Sequence, residues 1–295
     1  MTASRPLRAI ILCNLALLLL ACLDTTTKYL TEFFDPPLIV GIRYISNLAL
    51  MLCFFSPARA PEMVRTQRTG LVILRSCCLA VSSLLVAFAL QRMPVAETTA
   101  IMFLAPAFIV LAAGPLLKEE IGLWGWCAVV LGFCGVMLVV RPGAGLETTG
   151  VLLALCASTL IATYQLMSRS LAASEKTFAL LFYTAAIGSA VYACVIPFFL
   201  ADRMPTLLEG SLLACLGLFG GLGHYLFTAS FRYAPASFLA PVTYFQLLWA
   251  GLLGWLVFDH RPDGITMIGM LIVAASGVMV ALRSRRPAVV PPASS

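Results

Sequence analysis

Ten apolar stretches, each near the length that crosses a bilayer, run through this chain with little between them. They cover approximately Leu7–Thr27, Pro37–Ser56, Leu71–Gln91, Pro94–Leu117, Gly122–Val140, Thr149–Arg169, Phe178–Leu200, Gly210–Phe231, Ala234–Phe258 and Pro262–Leu282. Lipid offers no hydrogen bonds to a backbone, so each stretch must satisfy its own amides as a helix. The expected fold is an all-α polytopic membrane protein with ten transmembrane helices. Composition agrees: 61% of the 295 residues are hydrophobic and 11% charged, where soluble domains carry roughly 25%. So few charges cannot cover a water-facing surface. The net charge of +6 is therefore no sign of a nucleic-acid partner; the expected surroundings are the lipid bilayer.

The chain also nearly repeats itself. Pro94 and Pro235 lie 141 residues apart, and the same offset pairs Lys28 with Arg169 and Gln91 with Arg232. After a slip to 142, Gly135-Val136-Met137 falls on Gly277-Val278-Met279. The repeat implies a first five-helix unit over 7–141 and a second over 149–283, followed by a basic tail, 284–295, expected to be disordered. Five spans per unit is an odd number, so the second unit enters the membrane upside down: two inverted repeats. Lys and Arg in loops set orientation. With the N-terminus in the cytoplasm, 12 of them fall inside and 5 outside, Arg43 and Arg75 being within spans. Both termini are expected to be cytoplasmic.

Two features distract. Leu19-Leu20-Ala21-Cys22 has the look of a lipoprotein cleavage box, but cleavage would delete the first span and break the repeat. The ten cysteines lie in apolar spans without Cys-x-x-Cys spacing. They read as small packing residues, not as disulfides or a metal site.

The run Gln91 to Glu97 (Gln-Arg-Met-Pro-Val-Ala-Glu), Phe103 to Pro106, Leu117-Lys118-Glu119-Glu120, Gly132 to Met137 and Arg141 to Gly143 resembles the EamA family of the drug/metabolite transporter superfamily. The second half echoes it in Tyr233 to Ser237, Leu239 to Val242 and Ser276 to Met279. The resemblance spans essentially the whole chain. It implies ten helices as two inverted five-helix repeats around a central substrate cavity, in a multi-pass protein of the bacterial cytoplasmic (inner) membrane. Asp259-His260 departs from the Gly-Glu often found there. Substrates across the superfamily include amino acids, riboflavin, S-adenosylmethionine and opine-type metallophores, so fold does not fix substrate.

Polar residues inside spans are costly and point to function. Asp24 and Lys28 are four apart on one helix face near the outer end of span one. With Arg43, Arg92 and Glu97 they make five charges at the outer face of the first repeat, read either as a gate or proton-coupling group or as an interfacial cluster. Arg75, one turn from the cytoplasmic end of span three, reads first as an arginine snorkelling to phosphate, with a gating or substrate-pairing role as the alternative. Transporter sites lie near the midplane where repeats meet. That depth brings Asn14, Ser82, Ser83, Ser158, Tyr164, His224, Tyr244, Gln246 and Trp249. Of these, Asn14, Ser83, Tyr164, His224, Tyr244, Gln246 and Trp249 are the substrate-binding candidates. His224 stands out, deep in lipid beside glycines that admit close helix approach. Gly217-Leu-Phe-Gly-Gly221 reads as a packing motif, and Pro106, Pro197 and Pro241 as possible kink points.

The expected function is secondary transport of a small polar metabolite by alternating access. Export of an amino acid or another amino-acid-derived, zwitterionic compound such as an opine-type metallophore is the first reading. Import of riboflavin, S-adenosylmethionine or a similar metabolite is the second. No Gly-x-x-x-x-Gly-Lys-Ser/Thr loop occurs, which leaves protons or the substrate gradient as drive; Glu97, Asp24 and His224 are the proton candidates. A remote alternative, an intramembrane enzyme, lacks an acidic residue at the depth of His224. Neither catalytic residues, nor a metal, nor a cofactor is expected. A homodimer remains an open partner state.

Overall fold

A computed structural model describes residues 6–54, 64–105, 107–109, 111–112, 123–141, 146–171, 174–200, 203–230, 233, 239 and 242–283. Arg232, Pro106, Pro241, the Lys118-Glu119-Glu120 loop and the basic tail lie outside them, as do the first five residues and the side chain of Arg169.

The described residues form ten helices: α1 (Pro6–Leu30), α2 (Pro36–Phe54), α3 (Thr69–Arg92), α4 (Val95–Met102), α5 (Leu123–Val140), α6 (Thr148–Leu171), α7 (Thr177–Val195), α8 (Leu207–Ser230), α9 (Phe245–Phe258) and α10 (Gly264–Arg283). Each falls on one of the expected spans. Six are long and apolar enough to cross a membrane; α4, α5, α9 and α10 give shorter apolar segments. Pro197 kinks no span. It sits in a short 3-10 turn, Ile196–Phe198, that finishes α7.

The repeat is visible in the packing. Numbering each helix five higher, modulo ten, maps the main interfaces onto one another. α1 packs on α8 and α6 on α3; α1 on α9 and α6 on α4; α2 on α8 and α7 on α3. The pairs α2·α7, α4·α9 and α5·α10 map onto themselves. All of these join the two halves, so neither half buries its apolar faces alone.

The symmetry is incomplete among the described residues. α3 packs against both α1 and α2, whereas the counterparts α6·α8 and α7·α8 make at most marginal contact among the described residues. The bundle is thus drawn together on α3 and looser on α8.

Small residues allow the close crossings that hold membrane helices together. A Cβ on Gly217 would stand 2.5 Å from the Ser46 Cβ and 2.8 Å from the Asn47 backbone nitrogen. The Gly217–Gly221 motif therefore lets α8 lie directly on α2. Gly135 and Gly269 meet similarly, a Cβ on Gly135 lying 2.8 Å from the Gly269 carbonyl oxygen.

Two helices are interrupted at corresponding places. α4 ends at Met102, and Phe103 and Leu104 form a turn before helix resumes at Ala105; α9 begins after a turn at Tyr244. Phe103 and Tyr244 are 141 residues apart, and their rings meet with centroids 4.9 Å apart. An interrupted helix leaves carbonyls without intrahelical partners. Here the Ser158 hydroxyl of α6 donates to Met102 O at 3.2 Å. Breaks at matching positions of two repeats are where transporters of this architecture bind.

Candidate functional site

The group around these breaks is built from four helices. Asp24 (α1) accepts a hydrogen bond from Gln246, the second residue of α9, and lies in the field of Arg43 (α2). Gly220 on α8 faces Arg43, its position for a Cβ being 3.6 Å from Arg43 Nε. One turn further along α8, His224 is surrounded by the bundle and feels the charges of Arg43 and Arg75, yet its side chain is exposed. Trp249 Nε1 donates to Asn14 Oδ1 at 3.0 Å, tying α9 to α1. The Phe103–Tyr244 pair supplies an aromatic surface beside Gln246.

This corrects the expected cluster of five outer charges. Asp24 turns away from Lys28 to Gln246, and Arg43 goes with it to the middle of the bundle. Lys28, Arg92 and Glu97 stay at the end where Leu30 lies, here the Leu30 end.

Arg75 does not snorkel. It is only 4% exposed and spans three helices through neutral groups. Nε donates to Ser168 Oγ at 2.6 Å and Nη2 to Tyr164 OH at 2.7 Å. Nη1 donates to Thr184 Oγ1 at 3.0 Å and Leu180 O at 3.3 Å. Its guanidinium also lies over the Tyr164 ring, 4.2 Å from the centroid. No carboxylate pairs with it among the described residues. Ser83, another candidate, is buried with its hydroxyl 3.1 Å from Tyr44 OH.

At the Leu30 end, Lys28 acts as a latch. Its Nζ donates to Leu90 O and Met93 O, both at 2.8 Å. These are carbonyls at the C-terminus of α3, which four orphan acceptors make attractive to a cation. Arg92 pairs with Glu147, 3.2 Å away. Glu97, 4% exposed, meets His260 Nε2 at 2.9 Å. Asp259, the residue before, has φ 53°, a left-handed turn that closes α9 and brings His260 back over the bundle.

Sequence reasoning missed His260, Arg141, Asp263, Ser168, Thr184 and Phe103. The departure at Asp259-His260 was the one available signal for the first. The others depend on helix pairings that no local pattern encodes.

Asp263 accepts from the Thr266 backbone N–H at 2.9 Å and from Arg141 Nη2 at 2.6 Å. These bonds, with the Thr266 contribution largest, pull its carboxyl down to about 2. A carboxylate lowered on folding contributes stability above its unfolded pKa, about 3.9, and loses it as pH falls through the folded value. The Tm difference between wild type and Asp263→Asn in detergent should therefore be present above about pH 4 and shrink toward pH 2. A difference independent of pH over that range would count against the contact.

Among the described residues no three His, Cys, Asp or Glu side chains gather as a metal site would require. What the central group offers is charge and aromatic surface. One carboxylate already engaged by an amide, two guanidinium groups and an exposed imidazole together suit an anionic group such as a carboxylate.

Comparison with known proteins places this geometry. The model of the EamA-like transporter family matches residues 7–141 and 148–282. A riboflavin transporter of Vibrio cholerae is 25% identical over 280 residues, 92% of each chain. An S-adenosylmethionine uptake transporter of Rickettsia bellii is 25% identical over 87% of each chain. A pseudopaline exporter of Pseudomonas aeruginosa is 24% identical over 78% of this chain and 81% of its own. A solved crystal structure, 20% identical, superposes with a TM-score of 0.67 over 95% of this chain and 99% of that one, a likeness of fold.

Proposed function

The chain belongs to the EamA-like transporter family, and we propose that it is a secondary exporter of a small carboxylate-bearing, amino-acid-derived or zwitterionic metabolite. Membership makes it a multi-pass membrane transporter; direction, substrate and site are the proposal. In this reading the solute lies beside His224, with its carboxylate toward Arg43 and the field of Arg75 and its remainder against Gln246, Trp249 and the Phe103–Tyr244 pair. The protein lies in the inner membrane with both termini cytoplasmic, protons drive the cycle, and no bond of the solute is made or broken. The observation that carries the reading is the charge balance of the central group: among the described residues, Arg43 and Arg75 stand there against one carboxylate, Asp24, which Gln246 already engages. A buried positive surplus is unfavourable until an anion arrives.

The test is flux in proteoliposomes, with the solute found by untargeted metabolomics of cells and medium with and without the gene. Arg43→Gln, His224→Ala and Gln246→Ala are each expected to cut flux by roughly 10- to 100-fold, the equivalent of about 1.4–3 kcal/mol, while insertion and elution profile stay normal. Wild-type flux in all three would remove this group from the pathway.

Import of a flavin- or purine-containing solute is the second reading. It is favoured by the Phe103–Tyr244 pair, which offers a flat ring a surface at the helix breaks, and by the names of two of the relatives. Uptake of labelled riboflavin or S-adenosylmethionine that Tyr244→Ala abolishes would select it over export.

A further inference from the structure

A cavity opens at the Leu30 end, apart from the central group. It encloses about 320 Å³, room for roughly ten waters or a solute of similar bulk. Its charged wall is Arg92, Glu97, Arg141, His260, Arg261 and Asp263; Val139, Val140 and Leu146 supply an apolar side. It shares no lining residue with the central group.

The wall is incompletely satisfied. Glu97 is nearly fully buried, yet only Oε1 has a partner, His260; Oε2 has none. Arg141 spends Nη2 on Asp263 and Thr266, while its buried Nε is unpartnered. Arg261 stacks on Trp255, 4.5 Å from the ring centroid, and pairs with no carboxylate among the described residues. An unmade hydrogen bond in a buried group leaves its desolvation uncompensated, most of all when the group is charged. The residues that carry this wanting acceptor and this wanting donor line the same cavity, with surplus guanidinium beside them and an apolar wall. Both wanting atoms are closed to water. The cover over Glu97 is His260, 39% exposed against 5% for the carboxylate side chain, so a turn of that ring uncovers it.

We infer that this cavity is a second ligand site, taking a small zwitterion with an apolar body. The ligand's carboxylate lies against Arg141 and Arg261, its ammonium takes Glu97 as His260 turns aside, and its body rests on Val139, Val140 and Leu146. The site is a station at one mouth of the path, and it holds whichever way the solute moves. It goes beyond the function proposed above and does not require the central group to be correct.

Equilibrium binding to the full-length protein in lipid nanodiscs tests it. The probes are L-phenylalanine, phenethylamine, which lacks the carboxylate, and 3-phenylpropionate, which lacks the ammonium. Saturable L-phenylalanine binding is expected to survive Arg43→Gln, and to exceed binding of either truncated probe by at least tenfold. Glu97→Gln should erase the preference over 3-phenylpropionate, and Arg141→Gln the preference over phenethylamine. His260→Ala should tighten L-phenylalanine binding severalfold, a gain that misfolding cannot produce. No binding in wild type, or binding that disappears with Arg43→Gln and ignores Glu97, Arg141 and His260, overturns the site. Binding needs no flux, so silent proteoliposomes would count against the transport reading alone.

Discussion

Arg75→Met is expected to reduce transport about 100-fold and to leave the protein as stable as wild type or more so. The two halves of that result come from one geometry. Arg75 is buried among neutral partners, and taking a guanidinium out of water without a counter-ion costs several kcal/mol. Those partners lose little when it goes. Ser168 still donates to Tyr164 O at 2.6 Å, and Thr184 to Leu180 O at 2.8 Å; Tyr164 is only half-buried. A side chain that costs stability and whose removal orphans so little is retained for something it does. In a transporter whose solute carries a carboxylate, that role is to hold positive potential near His224. Losing a charge partner of a desolvated anion costs about 2–5 kcal/mol, of which about 3 corresponds to 100-fold. Flux in proteoliposomes and Tm in detergent, taken on the same preparation, decide it. A collapse of Tm would make Arg75 a structural residue; unchanged flux would take it out of the solute's path.

Lys28→Ala should loosen the Leu30 end. Nζ makes two charge-assisted bonds to the carbonyls that finish α3, each worth about 1.5–3 kcal/mol. Removing both is expected to speed hydrogen exchange of the amides from Phe88 to Glu97 by roughly 100-fold, near 3 kcal/mol. Transport should fall with it, because a path that does not close at one end cannot hold a gradient. Lys28→Arg, which keeps the charge, should restore much of the protection. Exchange rates equal to wild type in the alanine variant would mean that the packing of α1 and α2 on α3 closes this end unaided.

The ten helices were legible because apolar length and the demand for internal hydrogen bonds leave a bilayer-spanning chain one local solution. Inversion was legible because five is odd. Partners across helices were not. Asp24 and Lys28 share a helix face by spacing, yet Gln246 and the carbonyls of Leu90 and Met93 compete for them from elements far away in sequence. Arg75 looked superficial because depth along a helix says nothing about which side faces lipid. Its side faces Tyr164, Ser168 and Thr184, from the other half. His260 was hidden because its role depends on the backbone of Asp259 and not on a residue pattern.

The exchange of helix numbers that leaves the interfaces unchanged has a consequence for energy. If each half took on the other's shape, the same interfaces would reappear and the looseness would move from α8 to α3. A scaffold of this kind has no resting preference of its own, much as a balance with equal arms does not tilt. The tilt comes from the weights, the residues that differ across the repeat. Lys28 is such a weight, and the position that answers it, Arg169, carries a planar fork in place of a single ammonium. Which mouth waits open is then set by the residues that differ across the repeat, with Lys28 holding the Leu30 end.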